Sequence, residues 1–109
     1  MPIKNMVVID IAFLSDDLLL QGTLHLPAAH RPPLVIGCHG LHSDKDSPKE
    51  IALARACNRL GLAYFRFDHR GCGLSQGEFE KVTSLSARCR DLRNALDTVR
   101  NRAEIGDHI

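Results

Sequence analysis

Leu34-Val35-Ile36-Gly37-Cys38-His39-Gly40, then Ser47-Pro48-Lys49-Glu50, then Leu62-Ala63-Tyr64-Phe65-Arg66-Phe67-Asp68 are the segments that decide the fold. Leu34–Cys38 is a short, continuous apolar run, the pattern of a strand covered on both faces. Ser47 stands where a helix N-cap is wanted, Pro48 at the first helical position and Glu50 three residues after the cap. The Ser47 oxygen is expected to accept from the Glu50 N–H while the Glu50 carboxylate reaches back to the Ser47 N–H. Ile51, Ala54, Cys57 and Leu60 form one apolar face, flanked by Leu53, and Gly61 supplies a left-handed stop. Leu62–Asp68 is a second central strand. A strand, a capped helix and a strand in this order predict a parallel pair joined by a crossover helix.

Upstream, Met6 to Leu14 is rich in β-branched residues and reads as a strand. Ser15-Asp16-Asp17 is turn chemistry. From Leu18 to Leu26 the pattern alternates, with Leu18, Leu20, Gly22, Leu24 and Leu26 on one face and Leu19, Gln21, Thr23 and His25 on the other. Period 2 after a short turn predicts a hairpin, closed by Pro27, Pro32 and Pro33. Downstream, His69 to Thr83 reads as a polar loop. A last helix is expected from about Ser84 to Ala103, with Leu85, Cys89, Leu92, Leu96 and Val99 as its apolar face and its arginines largely elsewhere. The fold class is α/β: β-hairpin, β, α, β, α, mainly parallel with an antiparallel second strand.

The chain has 109 residues, room for one small domain. Its 44% hydrophobic and 25% charged residues are an ordinary globular balance. A net charge of +1 leaves no electrostatic footprint for nucleic acid or anionic lipid, and 5% aromatics with no Trp argues against a base-stacking surface. No apolar stretch approaches the roughly 20 residues of a membrane span. Met1 to Asn5 and the following segment, interrupted by Asp10, do not form a secretory signal, so a cytoplasmic location is expected. Cys38, Cys57, Cys72 and Cys89 contain no C-x-x-C pair and are expected to be reduced, packed thiols.

Two loops follow the carboxyl ends of the central strands, where open α/β sheets bind ligands. One runs from Cys38 to Asp46, the other from Asp68 to Phe79. A strand ending in His39-Gly40, a capped helix, and a strand ending in Asp68-x-Arg70-Gly71-x-Gly73-x-Ser75 together resemble the N-terminal half of an α/β-hydrolase. The hairpin with Gly22 and Pro27 is similar to that family's opening. The run Ser75-Gln76-Gly77-Glu78-Phe79 resembles the branch of small esterases acting on short or aromatic acyl esters. The resemblance extends from about Met6 to Ile109 and implies that residues 1–109 form a single partial α/β-hydrolase domain.

The resemblance implies serine-dependent hydrolysis of a carboxylic ester or related acyl bond by the complete parent, with no cofactor and no metal. It places an oxyanion-hole loop at His39, Gly40 and Leu41, with the Leu41 N–H as one donor. It implies bracing of the second loop by Asp68, Arg70, Gly71, Gly73 and Ser75, and a bracing rather than a basic role for His39. His42 stands where the family often has a small residue. The family's nucleophile, acid and histidine come later than this helix, so the chain alone is expected to be inactive.

Gly73-Leu74-Ser75-Gln76-Gly77 matches G-x-S-x-G literally, with Asp97 and His108 following in triad order. A nucleophile elbow, however, needs a strand running straight into the motif and a helix leaving it at once. Here the strand ends at Asp68, so Ser75 reads as structural. His39, His42, Asp44 and Asp46 have no recognisable metal spacing. Gly71-x-Gly73-x-x-x-Gly77 lacks the immediate helix that dinucleotide binding requires. His25, His30 and His69 read as strand-face or surface residues, and Arg66 as a strand residue with a paired neighbour. The resemblance also implies a spatial strand order 1-2-4-3, leaving Leu34–Cys38 as an open edge. Self-association or pairing with a complementary C-terminal fragment is expected, with a small-molecule acyl ester as the parent's substrate. The alternative is a non-catalytic relic or interaction module that pairs with a second chain.

Overall fold

The computed structural model describes residues 6–109. Residues 1–5, part of the segment read above for a targeting signal, lie outside the described residues. β1 (Val7–Ser15) and β2 (Leu18–Leu26) pair antiparallel, with Ser15 opposite Leu18. The two residues between them, Asp16 and Asp17, have φ of 48° and 69°. Two successive left-handed residues make the turn whose twist matches a hairpin, and Asp tolerates that region better than most residues.

β3 (Leu34–Cys38) lies parallel to β4 (Ala63–Phe67), Leu34 opposite Ala63, and β4 lies antiparallel to β2, Gly22 opposite Phe67. The sheet order is β1-β2-β4-β3. Three strands point one way and β2 the other, as expected. α1 (Pro48–Arg59) provides the crossover between β3 and β4. A short helical turn, α2 (Phe79–Val82), and α3 (Leu85–Arg100) follow β4.

The apolar core lies on the α3 face of the sheet. Phe13, Leu20, Leu24, Phe65 and Phe67 meet Ala95, Val99 and Ile105 there, all buried. Gly22 is required beneath it, because a Cβ at that position would enter the Phe65 ring. On the other face, under α1, β4 presents Tyr64 and Arg66. The Tyr64 hydroxyl donates to Glu50 Oε1 at 3.1 Å, and Arg66 Nε donates to His25 Nε2 at 2.9 Å. Gly37 accommodates the Tyr64–Glu50 pair, whose atoms a Cβ there would strike.

Five expectations need correction. The Ser47 oxygen does accept from the Glu50 N–H, at 3.4 Å, but the Glu50 carboxylate turns inward to Tyr64 and the Ser47 N–H bonds Asp44 O instead. A buried hydroxyl is a better partner for that carboxylate than a solvated N–H. α3 stops at Arg100, not Ala103, and Phe79–Val82 is helical rather than loop. The buried face of α3 is Ala87, Asp91, Ala95 and Val99, while Leu85 is 82% and Leu92 39% exposed. Small residues at four-residue spacing let the helix approach the sheet closely, and the larger leucines face outward. Finally, His69 is buried rather than superficial.

Candidate functional site

The two expected loops lie together at the carboxyl ends of β3 and β4. Asp68, fully buried, joins them: Oδ1 accepts from the Lys45 N–H at 2.7 Å and Oδ2 from the Leu74 N–H at 3.0 Å. Gly73, at φ 49°, lies over this carboxylate, and a Cβ there would come within 2.5 Å of it. A second link is histidine-mediated. His39 Nε2 accepts from the His69 N–H at 3.0 Å, which assigns the proton of the neutral ring to Nδ1; Nδ1 then donates to Gly40 O at 2.7 Å. Burial lowers the pKa of His39, partly offset by the bond to Gly40 O. The His39 and His69 rings meet edge to face at 5.0 Å. Both ring nitrogens of His39 are thus committed to backbone, and the ring braces the turn.

The Gly40 carbonyl also accepts from the Ser43 N–H at 3.0 Å. The next N–H, that of Leu41, has no hydrogen-bond partner among the described residues, and the Leu41 side chain is exposed. A planar trans peptide directs N–H and C=O to opposite sides, so the carbonyl held inward turns the Leu41 N–H outward. His42 packs beside Phe79 with ring centroids 5.0 Å apart, which brings the first loop against α2.

The second loop is built on the end of β2. β4 pairs with β2 only from Gly22 to His25. Beyond that, loop groups continue the ladder. The Asp68 N–H bonds Gln21 O at 2.9 Å, Ser75 Oγ accepts from the Gln21 N–H at 3.0 Å, and Gln76 exchanges bonds with both Leu19 backbone groups. Ser75 Oγ donates to Asp68 O at 2.6 Å. Its hydroxyl is occupied in both directions by backbone, with no histidine among its partners. Asp97 instead pairs with Arg100, so the G-x-S-x-G match assembles no triad. Gly71, at φ 72°, is packed against the Phe79 backbone.

Arg70 does not act within its own loop. Its guanidinium reaches Asp91 on α3, Ser15 and Asp16 at the hairpin turn, and Asp16 also binds Arg90. Burial alone would raise the Asp91 pKa; the neighbouring His69 and Arg70, the Arg70 N–H and Ser15 outweigh it and hold the carboxyl well below its usual range. The His69 ring approaches Asp91 at 3.5 Å without closing a hydrogen bond. Arg88 on α3 donates to His39 O at 3.1 Å. Sequence reasoning missed Asp91, His69 and Arg88. One signal was available: Asp91 is the lone acid between Arg88 and Arg93, with Ala87 and Ala95 four residues to either side.

His39, His42, Asp44 and Asp46 do not converge. His39 faces Gly40 and His69, His42 faces Phe79, Asp44 accepts from the Asp46 N–H, and Asp46 pairs with Lys45 and Arg66. A cavity of about 260 Å³ lies at the opposite end of the sheet, lined by residues including Val7, Leu26, His30 and Glu104. No helix among the described residues is long and apolar enough to cross a membrane.

Comparison with known proteins places this architecture. The structure of Est1E from Butyrivibrio proteoclasticus with ferulic acid bound superposes with a TM-score of 0.82, at 24% identity, over 87% of this chain and 39% of that one. The α/β hydrolase GrgF from Penicillium sp. sh18 gives 0.80 at 26% identity, over 92% of this chain and 34% of that one. A palmitoyl-protein thioesterase, mitochondrial ABHD10 of Bos taurus, is 38% identical over 53 residues, 49% of this chain and 17% of the relative. The chain thus spans about a sixth of that curated relative and between a third and two fifths of these solved structures. The hydrolase family described as serine aminopeptidase, S33, matches residues 29–109. The chain belongs to that family, and its fold is that of the N-terminal part of an α/β-hydrolase.

Proposed function

We propose that the chain supplies the oxyanion-loop half of an acyl-hydrolase site, acting on a carboxylic ester or thioester. The observation that carries this reading is the Leu41 N–H, left without a partner beside two mutually braced loops. When a serine oxygen attacks an acyl carbonyl, negative charge develops on the carbonyl oxygen, and a fixed N–H aimed at that position stabilises it. Donors held by a rigid frame do so without reorganising during the reaction. The chemistry is the same for ester and thioester, and a thioesterase is among the similar proteins.

Ser75, the serine of the G-x-S-x-G match, is tied to Asp68 O and the Gln21 N–H and is not positioned as a nucleophile. In this reading the nucleophile and its base are supplied by a complementary segment. The partner surface is the outer edge of β3, whose residues Val35 and Cys38 are exposed. The test is to isolate the native polypeptide with an antibody raised against this chain, weigh it, and assay it on nitrophenyl esters and acyl thioesters beside the 109-residue chain. Turnover by the native species and none by the short chain is the expected result. No turnover by either would favour a non-catalytic module.

A further inference from the structure

Arg88 lies on α3 among residues whose spacing reads as a solvated basic face, yet its guanidinium does not point to solvent. Arg88 Nη2 donates to His39 O at 3.1 Å and lies 3.3 Å from His39 Nδ1 and 3.5 Å from Gly40 O. His39 Nδ1 and the Ser43 N–H converge on the same Gly40 carbonyl. Three donor groups from α3, the ring and the turn thus gather the two carbonyls that precede Leu41. The remaining groups around the ring are His69 and Asp68, the former through its N–H to Nε2 and the latter through its charge.

We infer that Arg88 is a positioning residue: by drawing the His39 and Gly40 carbonyls toward α3 it fixes the plane of the Gly40–Leu41 peptide and keeps the Leu41 N–H aimed outward. A carbonyl that accepts several donors on one side cannot rotate without losing them together, and the trans peptide couples its direction to that of the N–H. The guanidinium is suited to this because its planar fork spans adjacent acceptors and stays charged at any working pH. The inference rests on the acyl-hydrolase reading for its purpose, since an aimed N–H matters only if charge develops opposite it. The geometry itself can be tested without any activity.

The experiment uses uniformly ¹⁵N-labelled 109-residue chain. In the wild type, long-range ¹H–¹⁵N correlations should place the His39 proton on Nδ1, and a proton on Nε2 would overturn the proposal without any variant. In Arg88→Met, the Ser43 amide, which donates to Gly40 O, should exchange about fivefold faster, as expected for the weakening of one hydrogen bond, and the Leu41 amide resonance should move. Arg88→Lys should restore both toward wild type, and Arg90→Met, on the same helix but paired with Asp16, should leave both unchanged. Unchanged Ser43 exchange and Leu41 shift in a folded Arg88→Met chain would refute the proposal. If Arg88→Met does not fold, Arg88→Gln carries the test, and unchanged Ser43 exchange and Leu41 shift in that chain refute the proposal equally. A loop that behaves as expected in a native protein without turnover would sink the hydrolase reading and leave the clamp standing.

Discussion

The carboxylate of Asp91 closes on Arg70 through three hydrogen bonds: Oδ1 accepts from Nε at 3.0 Å and Nη2 at 2.8 Å, and Oδ2 accepts from the Arg70 N–H at 3.0 Å. One residue comes from the middle of α3 and the other from the loop after β4. Ser15 Oγ at the end of β1 donates to the same carboxylate at 2.8 Å. Hairpin, second loop and last helix therefore share one buried acceptor. Removing one partner of such a group leaves the other charged, buried and unpaired, which costs more than the pair contributes.

Asp91→Asn should therefore lower stability by about 3–5 kcal/mol, read as a fall in the urea midpoint. The double replacement Asp91→Leu with Arg70→Met should cost less than the sum of the single replacements, because no orphan charge remains. An Asp91→Asn chain with the wild-type midpoint would show that the network contributes little.

Ser75→Ala removes the hydroxyl that joins Asp68 O to the Gln21 N–H and should cost about 1–3 kcal/mol. It should leave reactivity toward a fluorophosphonate unaltered, with neither chain labelled. Labelling of Ser75 that disappears in Ser75→Ala would make it a nucleophile and overturn the structural reading.

Burial lowers the His25 pKa from 6.5 to about 4, with Arg66 and Arg55 adding repulsion. Its Nε2 accepts from Arg66, so the folded protein holds the ring neutral. Between pH 6.5 and 4 the unfolded chain binds the proton and the folded chain does not. Stability is thus full above pH 6.5 and falls as pH drops toward 4, by up to about 3 kcal/mol from this group. The lowered pKa of His39 acts in the same direction. Asp91 adds a further loss below its unfolded value of 3.8, since its carboxylate is favoured in the folded state. Urea midpoints from pH 7.5 to 4 should show this slope, and His25→Gln should flatten part of it. A wild-type midpoint constant over that range would contradict the buried neutral ring.

The outer edge of β3 should make the chain associate. Backbone of the C-terminal segment covers its entrance, with the Gly106 N–H on Pro32 O and the Leu34 N–H on His108 O, both at 2.9 Å. That pairing stops at Leu34 and does not run beside Val35–Cys38 as a strand. An uncovered apolar edge is a template for another strand. Sedimentation of the 109-residue chain should show concentration-dependent association, reduced by Val35→Lys. A monomer at all concentrations, melting cooperatively, would show that the edge is closed by other means.

The hairpin, the crossover unit and the two loops were legible in the sequence because each rests on local signals. Alternation from Leu18 to Leu26, the Ser47-Pro48 cap, Gly61 and the apolar run Leu34–Cys38 each report their own neighbourhood. His39-Gly40 and Asp68 to Ser75 could be placed at strand ends for the same reason. The orientation of α3 was not legible. Leucines at helical spacing state that a face is apolar, but which face is buried depends on how closely the helix can approach the sheet. Here Ala87, Ala95 and the Asp91–Arg70 pair settle that.

What the sequence determined by itself is the order of elements, the strand pairing they permit and the position of the two loops. These follow from periodicity, capping and turn chemistry, which act over a few residues. Only the tertiary structure decided that Glu50 serves Tyr64 rather than its own cap, that Ser75 completes the ladder of β2, and that Arg88 holds the carbonyls before Leu41. Each of these joins residues 14 to 54 positions apart. A buried polar group takes whichever partner the packed chain brings within reach, because leaving it unpaired costs more than any local preference contributes.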